Sequence, residues 1–247
     1  MLNDITFGQF YPAKSLVHKM DPRFKMVLTV AFIVFTFVAQ NAISLVITAA
    51  ALAIFIAATR IPVKMYLKTL KPIIPIIILT SVLNALYVSG GDTVVSFWKI
   101  TITTGGITTA VYMSVRIAIL IMCSSILTYT TSPTELTDAI ERLFSPLNAI
   151  KVDVHSLAMM MTIALRFIPT LIEETDKIMS AQKARGADIE SGGLIKRVKA
   201  LVPILIPLLI SSFRRASELA DAMECRCYHG GEGRTRMKVM KASAIDY

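Results

Sequence analysis

Residues 26–58 read MVLTVAFIVFTFVAQNAISLVITAAALAIFIAA, with no charged side chain from end to end. As one helix this run would be about 50 Å long, against about 30 Å of bilayer hydrocarbon. One straight crossing is therefore excluded. The only strongly polar pair inside it is Gln40-Asn41. A tight hairpin there leaves two short spans, near 24–40 and 42–59.

The pattern repeats outward. A third span is expected from Pro72 to Val88, where Pro72 suits a helix start and Pro75 still lies in the first turn. Residues 89–104 hold Gly90-Gly91, Asp92, Trp98 and Lys99 and read as an exposed loop, with Trp98 suited to a headgroup interface. A fourth span is expected over 105–128. The first 25 residues are polar and basic, with no apolar core of a cleaved leader.

Composition agrees. Of 247 residues, 54% are hydrophobic and only 17% charged, where soluble domains carry about 25% charged. Mean hydropathy is +0.63. The net charge of +9 taken alone suits a polyanion, but the apolar content argues for lipid and against nucleic acid. Disorder and collagen-like repeats are excluded. Three cysteines, one of them in an apolar stretch, imply no disulfide framework.

Charge is unevenly distributed. Residues 1–130 carry 10 Lys+Arg and 3 acids, whereas 131–247 carry 16 and 14. We read two parts, a membrane domain over 1–130 and a charge-rich domain of amphipathic helices over 131–247. Lys14, Lys19, Arg23 and Lys25 precede the first span, and Arg60, Lys64, Lys68 and Lys71 separate the second from the third. Only Lys99 falls on the opposite side. By the positive-inside rule both ends of the membrane domain are expected in the cytoplasm. Arg116 falls near the middle of the fourth span, where a charge costs about 2.5–3.5 kcal/mol on insertion scales. It reads either as a structural arginine paired with a carbonyl or as a gating or contact residue.

Past Thr130 the chain reads as amphipathic helices. Ser132-Pro133-Thr134-Glu135 opens one with a Ser cap, Pro at the first helical position and Glu three residues on, and Ser145-Pro146 ends it. A long helix follows over 153–185, with Pro169 expected to kink it. Arg166 interrupts its apolar first half, so it reads as interfacial or protein-buried. After Ser191-Gly192-Gly193, the apolar run Leu201–Ile210 lies between basic clusters. It is too short to span.

The ends of these two helices resemble each other at a constant offset. The first is Ala181-Gln182-Lys183-Ala184-Arg185-Gly186-Ala187 and the second is Ala222-Met223-Glu224-Cys225-Arg226-Cys227-Tyr228. Arg at a helix end complements the dipole, and Gly after it permits a left-handed cap. Each alone reads as an ordinary cap. A matched pair suits docking to a dimeric or pseudo-dimeric partner.

These features together resemble the transmembrane T component of energy-coupling factor transporters, including cobalt-type permeases. The resemblance is carried by Asp21-Pro22-Arg23 with Lys25, by Thr131–Leu136, and by Leu165-Arg166-Phe167-Ile168-Pro169. It continues through Ala181-Gln182, Ala184-Arg185-Gly186, Ala222-Met223-Glu224, Arg226 and Arg234-Thr235. It covers nearly the whole chain. It implies an all-α polytopic membrane protein with about four N-terminal spans and long cytoplasmic or interfacial coupling helices.

The resemblance also implies partners. Two cytoplasmic ATP-binding-cassette ATPases bind ATP and Mg and dock on the Arg185 and Arg226 motifs. A membrane-embedded S component carries the vitamin or metal ion. No cofactor or metal site is implied on this chain. Two departures stand out. Cys225-Arg226-Cys227 replaces Ala-Arg-Gly, so Cys227 is not expected to take the glycine cap readily. Members also usually carry a further membrane helix after the Arg-Thr pair. This sequence ends at Tyr247, soon after Thr235, so that helix is either outside it or lacking in this member.

Other chemistry is weaker. Cys225-x-Cys227-x-His229 has soft-metal ligands but no standard zinc spacing. His18, beside the Asp21-Pro22-Arg23 turn, reads as structural rather than as a proton carrier. No Gly-x-x-x-x-Gly-Lys-Ser/Thr loop exists, and no nucleophile–base set is evident. Met159-Met160-Met161 reads as core packing or as an adaptable contact surface. The rival functions are the permease half of an ordinary ABC importer, which normally uses one coupling segment, and a stand-alone secondary carrier, which needs broken midplane helices.

Overall fold

The computed structural model describes residues 10–13, 15–39, 41–88, 90, 92–97, 100–187 and 193–230. The described chain forms two compact units divided between Ala139 and Ile140.

The first unit opens with α1 (Leu16–Lys19) and α2 (Pro22–Val38). Asp21 is the N-cap of α2, accepting from the Arg23 amide at 3.0 Å, with Pro22 in the first turn. The Arg23 guanidinium returns to Asp21 at 3.1 Å. The Asp-Pro-Arg triplet is thus a complete helix start: acceptor, pre-set φ and counter-charge.

Gln40 lies outside the described residues, but α2 stops at Val38 and α3 (Ala42–Thr59) begins after Asn41, as the polar pair requires. The turn is held by α6 (Thr104–Thr130). Tyr112 Oη donates to the carbonyls of Ala39 and Asn41, and Arg116 Nη2 donates to Ala39 O. The Arg116 guanidinium also lies 4.9 Å from the Tyr112 ring centre. Arg116 is therefore paired with a carbonyl, the structural reading. At the other end Lys25, buried, donates to Thr130 O at 3.1 Å and to His18 O at 3.3 Å. α2 and α6 run antiparallel between these two fixed points. Arg116 is mid-helix in α6 yet level with the end of α2.

The core between them is small. Leu45 and Leu52 of α3 pack on Ile119 and Cys123 of α6, with Phe32 and Ile126 against them. Thr36, Thr48 and Thr59 are fully buried. Such small hydroxyl residues let apolar helices approach closely while bonding their own backbone; Thr36 Oγ1 donates to Phe32 O at 2.8 Å.

The third span differs from the expectation. It begins at Val63, not Pro72: α4 (Val63–Leu70) leads through a 3-10 turn at Lys71–Ile73 into α5 (Ile74–Tyr87). The lysines of α4 made this stretch read as loop. Lys64 and Lys68 sit one helical turn apart and so share a face, while Tyr66 is buried against Ile61 and Tyr129. The segment read as a loop contains an antiparallel hairpin of β1 (Thr93–Phe97) and β2 (Ile100–Thr103). Trp98 and Lys99 lie outside the described residues. Gly105 and Gly106 follow. A Cβ added at Gly105 would collide with Gly90 O, and one added at Gly106 would stand 2.8 Å from Val88 O. Only glycine admits that approach of α6 to the end of α5.

α7 (Pro133–Leu143) starts with the expected capping box. Glu135 N donates to Ser132 Oγ and Ser132 N to Glu135 Oε2, both at 3.3 Å. The second unit contains α8 (Val154–Ala184) and α9 (Leu194–Glu224), each 31 residues.

Among the described residues, five helices can cross a membrane by length and composition: Ala42–Thr59, Val63–Tyr87, Thr104–Thr130, Val154–Ala184 and Lys199–Glu224. α2, at 17 residues, is about 26 Å long. α8 and α9 join this group by length and composition alone. α9 is continuous through Pro203 and Pro207, so the short apolar run is part of a much longer helix. Apolar side chains are exposed along the spans, including Ile76, Leu79, Val82, Val111 and Leu205, a surface made for lipid or protein rather than water.

Candidate coupling site

α8 and α9 run in opposite directions. Near the end of α8, Gln182 Nε2 donates to Pro203 O, early in α9, at 3.2 Å. Near the start of α8, Met159 Sδ accepts from Tyr228 Oη, just past α9, at 3.0 Å. Between these contacts Arg215 Nη2 meets Glu174 Oε2 at 2.8 Å, Ser211 Oγ donates to Glu174 Oε1, and the Arg215 guanidinium lies 6.0 Å from the Phe167 ring centre.

The start of α8 is fixed by local polar chemistry. Asp153 caps it, accepting from Ser156 Oγ at 2.5 Å and from Ser156 N at 3.0 Å. The hydroxyl bond first, then the amide bond, holds the Asp153 carboxyl below the usual range. His155 Nδ1 pairs with Glu141 Oε1 at 2.8 Å, tying α8 to the end of α7.

The two motif ends share one backbone design. At the first, Gly186 N donates to Lys183 O at 3.0 Å and Ala187 N to Gln182 O at 3.0 Å, with Gly186 at φ +85°. At the second, Cys227 N donates to Glu224 O at 2.8 Å and Tyr228 N to Met223 O at 3.1 Å, with Cys227 at φ +56°. These are the two bonds of a Schellman cap in each case. The expectation that Cys227 would resist the cap is corrected. A left-handed non-glycine residue costs roughly 1–2 kcal/mol, and here the two backbone bonds and the Tyr228–Met159 contact hold it.

Ala184, Arg185 and Gly186, like Cys225, Arg226 and Cys227, are exposed. Each arginine directly precedes its left-handed residue, at the end of a helix whose dipole favours a cation. Because the helices are antiparallel, Arg185 and Arg226 stand toward opposite ends of the pair. Guanidinium there offers a permanently charged, forked donor to carboxylates or carbonyls.

The remaining predicted residues separate. Gln182 bonds across to α9, and Glu224 lends its carbonyl to the second cap. Arg166 and Pro169 are exposed on α8. Asp21, Pro22 and Arg23 belong to the other unit, and Arg234 and Thr235 lie outside the described residues. Sequence reasoning missed the Glu174–Arg215 pair. Extending the repeat backward sets Glu173-Glu174 against Arg214-Arg215 and would have found it.

Matched, exposed arginine caps end an antiparallel pair of long helices in a chain that also carries a multi-pass apolar unit, and together they describe a multi-pass membrane protein. Residues 13–237 match the cobalt transport protein family, CbiQ, and the chain belongs to that family. It is similar to the energy-coupling factor transporter transmembrane protein EcfT of Ruminiclostridium cellulolyticum, at 51% identity over all of this chain and 92% of that protein. The corresponding protein of Acidaminococcus fermentans is 51% identical over 99% of this chain and 92% of its own length. That of Bacillus subtilis is 45% identical over 96% and 90%. The chain is a transmembrane component of an energy-coupling factor transporter, a multi-pass, non-catalytic transporter subunit.

Proposed function

We propose that the second unit is the part that couples ATP hydrolysis in partner subunits to transport. Arg185 and Arg226 each dock into one of two cytoplasmic ATP-binding-cassette ATPases, which hold the ATP and Mg. A membrane-embedded S component carries the vitamin or metal ion, and motion of the ATPases passes through α8 and α9 to it. Residues 1–130 form the membrane domain, with both its ends in the cytoplasm, and 131–247 the coupling domain.

The observation that carries this reading is the identity of the two caps. Two arginines in one backbone setting, toward opposite ends of an antiparallel pair, suit a partner whose two halves are alike. Asp21, Pro22 and Arg23 shape the start of the membrane domain. Arg166, Pro169, Gln182 and Glu224 support the coupling helices, and Arg234-Thr235 extends the second motif.

The test is charge reversal at both ends. Arg185→Glu with Arg226→Glu is expected to abolish co-purification of the ATPases while the chain still inserts into membranes. Undiminished co-purification would refute the reading.

A further inference from the structure

Glu174 and Arg215 are 41 positions apart, the same offset that relates Arg185 to Arg226 and Gly186 to Cys227. The two members of the ion pair are therefore equivalent positions of the repeated helix. Residues flanking them match as well. Glu173 and Arg214 are both exposed, Glu174 and Arg215 both half-buried, and Thr170 and Ser211 both part-buried hydroxyls.

In a two-fold arrangement a residue on the axis meets its own counterpart. Two identical helices would set like charges against each other there. This chain instead carries Glu174 on one helix and Arg215 on the other, joined at 2.8 Å, with side chains only 22% and 31% exposed. Ser211 occupies the other carboxylate oxygen, Oε1, and Phe167 faces the guanidinium. The spacing from Glu174 to Arg185 equals that from Arg215 to Arg226. Each motif arginine thus lies about 17 Å along its own helix from the pair.

We propose that Glu174–Arg215 is the register lock of α8 and α9: a pair of positioning residues on their pseudo-two-fold axis that sets the two motif arginines at equal distances from it. The inference deepens the docking reading and rests on it for its functional consequence. A slip of one helical turn would break the pair and move one arginine by about 5.4 Å relative to the other, which a symmetric partner would not accept at both ends.

The test compares the wild type with Glu174→Gln, Glu174→Arg, Arg215→Glu and the swap of Glu174→Arg with Arg215→Glu. Two readouts are needed. The first is the distance between nitroxide labels at Lys183→Cys and Glu224→Cys, measured on the full chain with Cys123, Cys225 and Cys227 replaced. The second is ATP hydrolysis by the complete complex of otherwise native chain in proteoliposomes.

Each single reversal is expected to broaden or shift the label distance and to lower hydrolysis at least tenfold. Glu174→Gln is expected to do the same more weakly. The swap is expected to restore the distance and to bring hydrolysis within twofold of wild type, a rescue that a merely space-filling role would not give. Single reversals that leave both readouts at the wild-type value would overturn the lock. So would a swap as impaired as the singles. Should the Arg185 and Arg226 reversals leave the ATPases bound, the docking reading fails, while the label distances on the chain alone still decide the register claim.

Discussion

Gly186 and Cys227 occupy the same backbone position at the ends of α8 and α9, at φ +85° and +56°, each donating to the carbonyl three residues back. One is the residue that favours this conformation and the other is not. The second cap therefore holds strain that the first does not.

Cys227→Gly should relieve that strain and stabilise the second cap by roughly 1 kcal/mol. Gly186→Ala should weaken the first by about as much. No atom lies within 4 Å of an added Cβ at Gly186, so the cost there is conformational alone. Hydrogen exchange at the cap amides of residues 186–187 and 227–228 measures both, with slower exchange expected in the first variant and faster in the second.

Lys25 ties the start of α2 to the end of α6 by donating to the last carbonyl of that helix. Lys25→Met keeps the stem but removes the cation. Hydrogen bonds from charged groups contribute about 1.5–3 kcal/mol, so a loss of that order is expected in detergent unfolding. A midpoint unchanged from wild type contradicts the assignment.

Gly106 lies where α5 and α6 nearly touch. Gly106→Val would bring a Cβ to 2.8 Å from Val88 O and 2.9 Å from Ala85 O, both backbone atoms. Overpacking of this kind costs typically about 1–3 kcal/mol. Thermal unfolding of the purified chain should show the loss, with Gly106→Ala milder than Val.

His18 links α1 to the chain before it, through Ser15 Oγ at 2.7 Å and Tyr11 O at 3.0 Å. Burial pushes its pKa below the ordinary value, the Tyr11 carbonyl opposes this, and Lys25 adds to the lowering. A base depressed in the folded state is favoured there as the neutral form. Its contribution is intact above the unfolded pKa of about 6.5 and is lost as pH falls below it. Tryptic cleavage at Lys19, normalised to cleavage at Lys183, should therefore quicken below that pH, and His18→Asn should remove the pH dependence.

Much of this was legible because it rests on local chemistry. One polar pair in a long apolar run marks the α2–α3 turn. Ser132 with Glu135 marks the start of α7, and Arg-Gly marks the end of α8. What escaped depends on partners distant in sequence or on short elements. α4 reads as loop until Tyr66 is seen buried under Tyr129, far along the chain. The β-hairpin has strands of only 5 and 4 residues and is masked by the turn-forming residues before it. The cap at Cys227 needs the Tyr228–Met159 contact, and the Glu174–Arg215 pair needs the repeat followed past the motif that reveals it.

On the docking proposal, two matched arginine caps each hold one ATPase. Native mass spectrometry of the intact complex tests this most directly, comparing wild type, Arg185→Glu, Arg226→Glu and the double reversal. Two ATPases are expected on the wild type, fewer on each single variant and none on the double. Two ATPases retained on the double-reversal chain would contradict it.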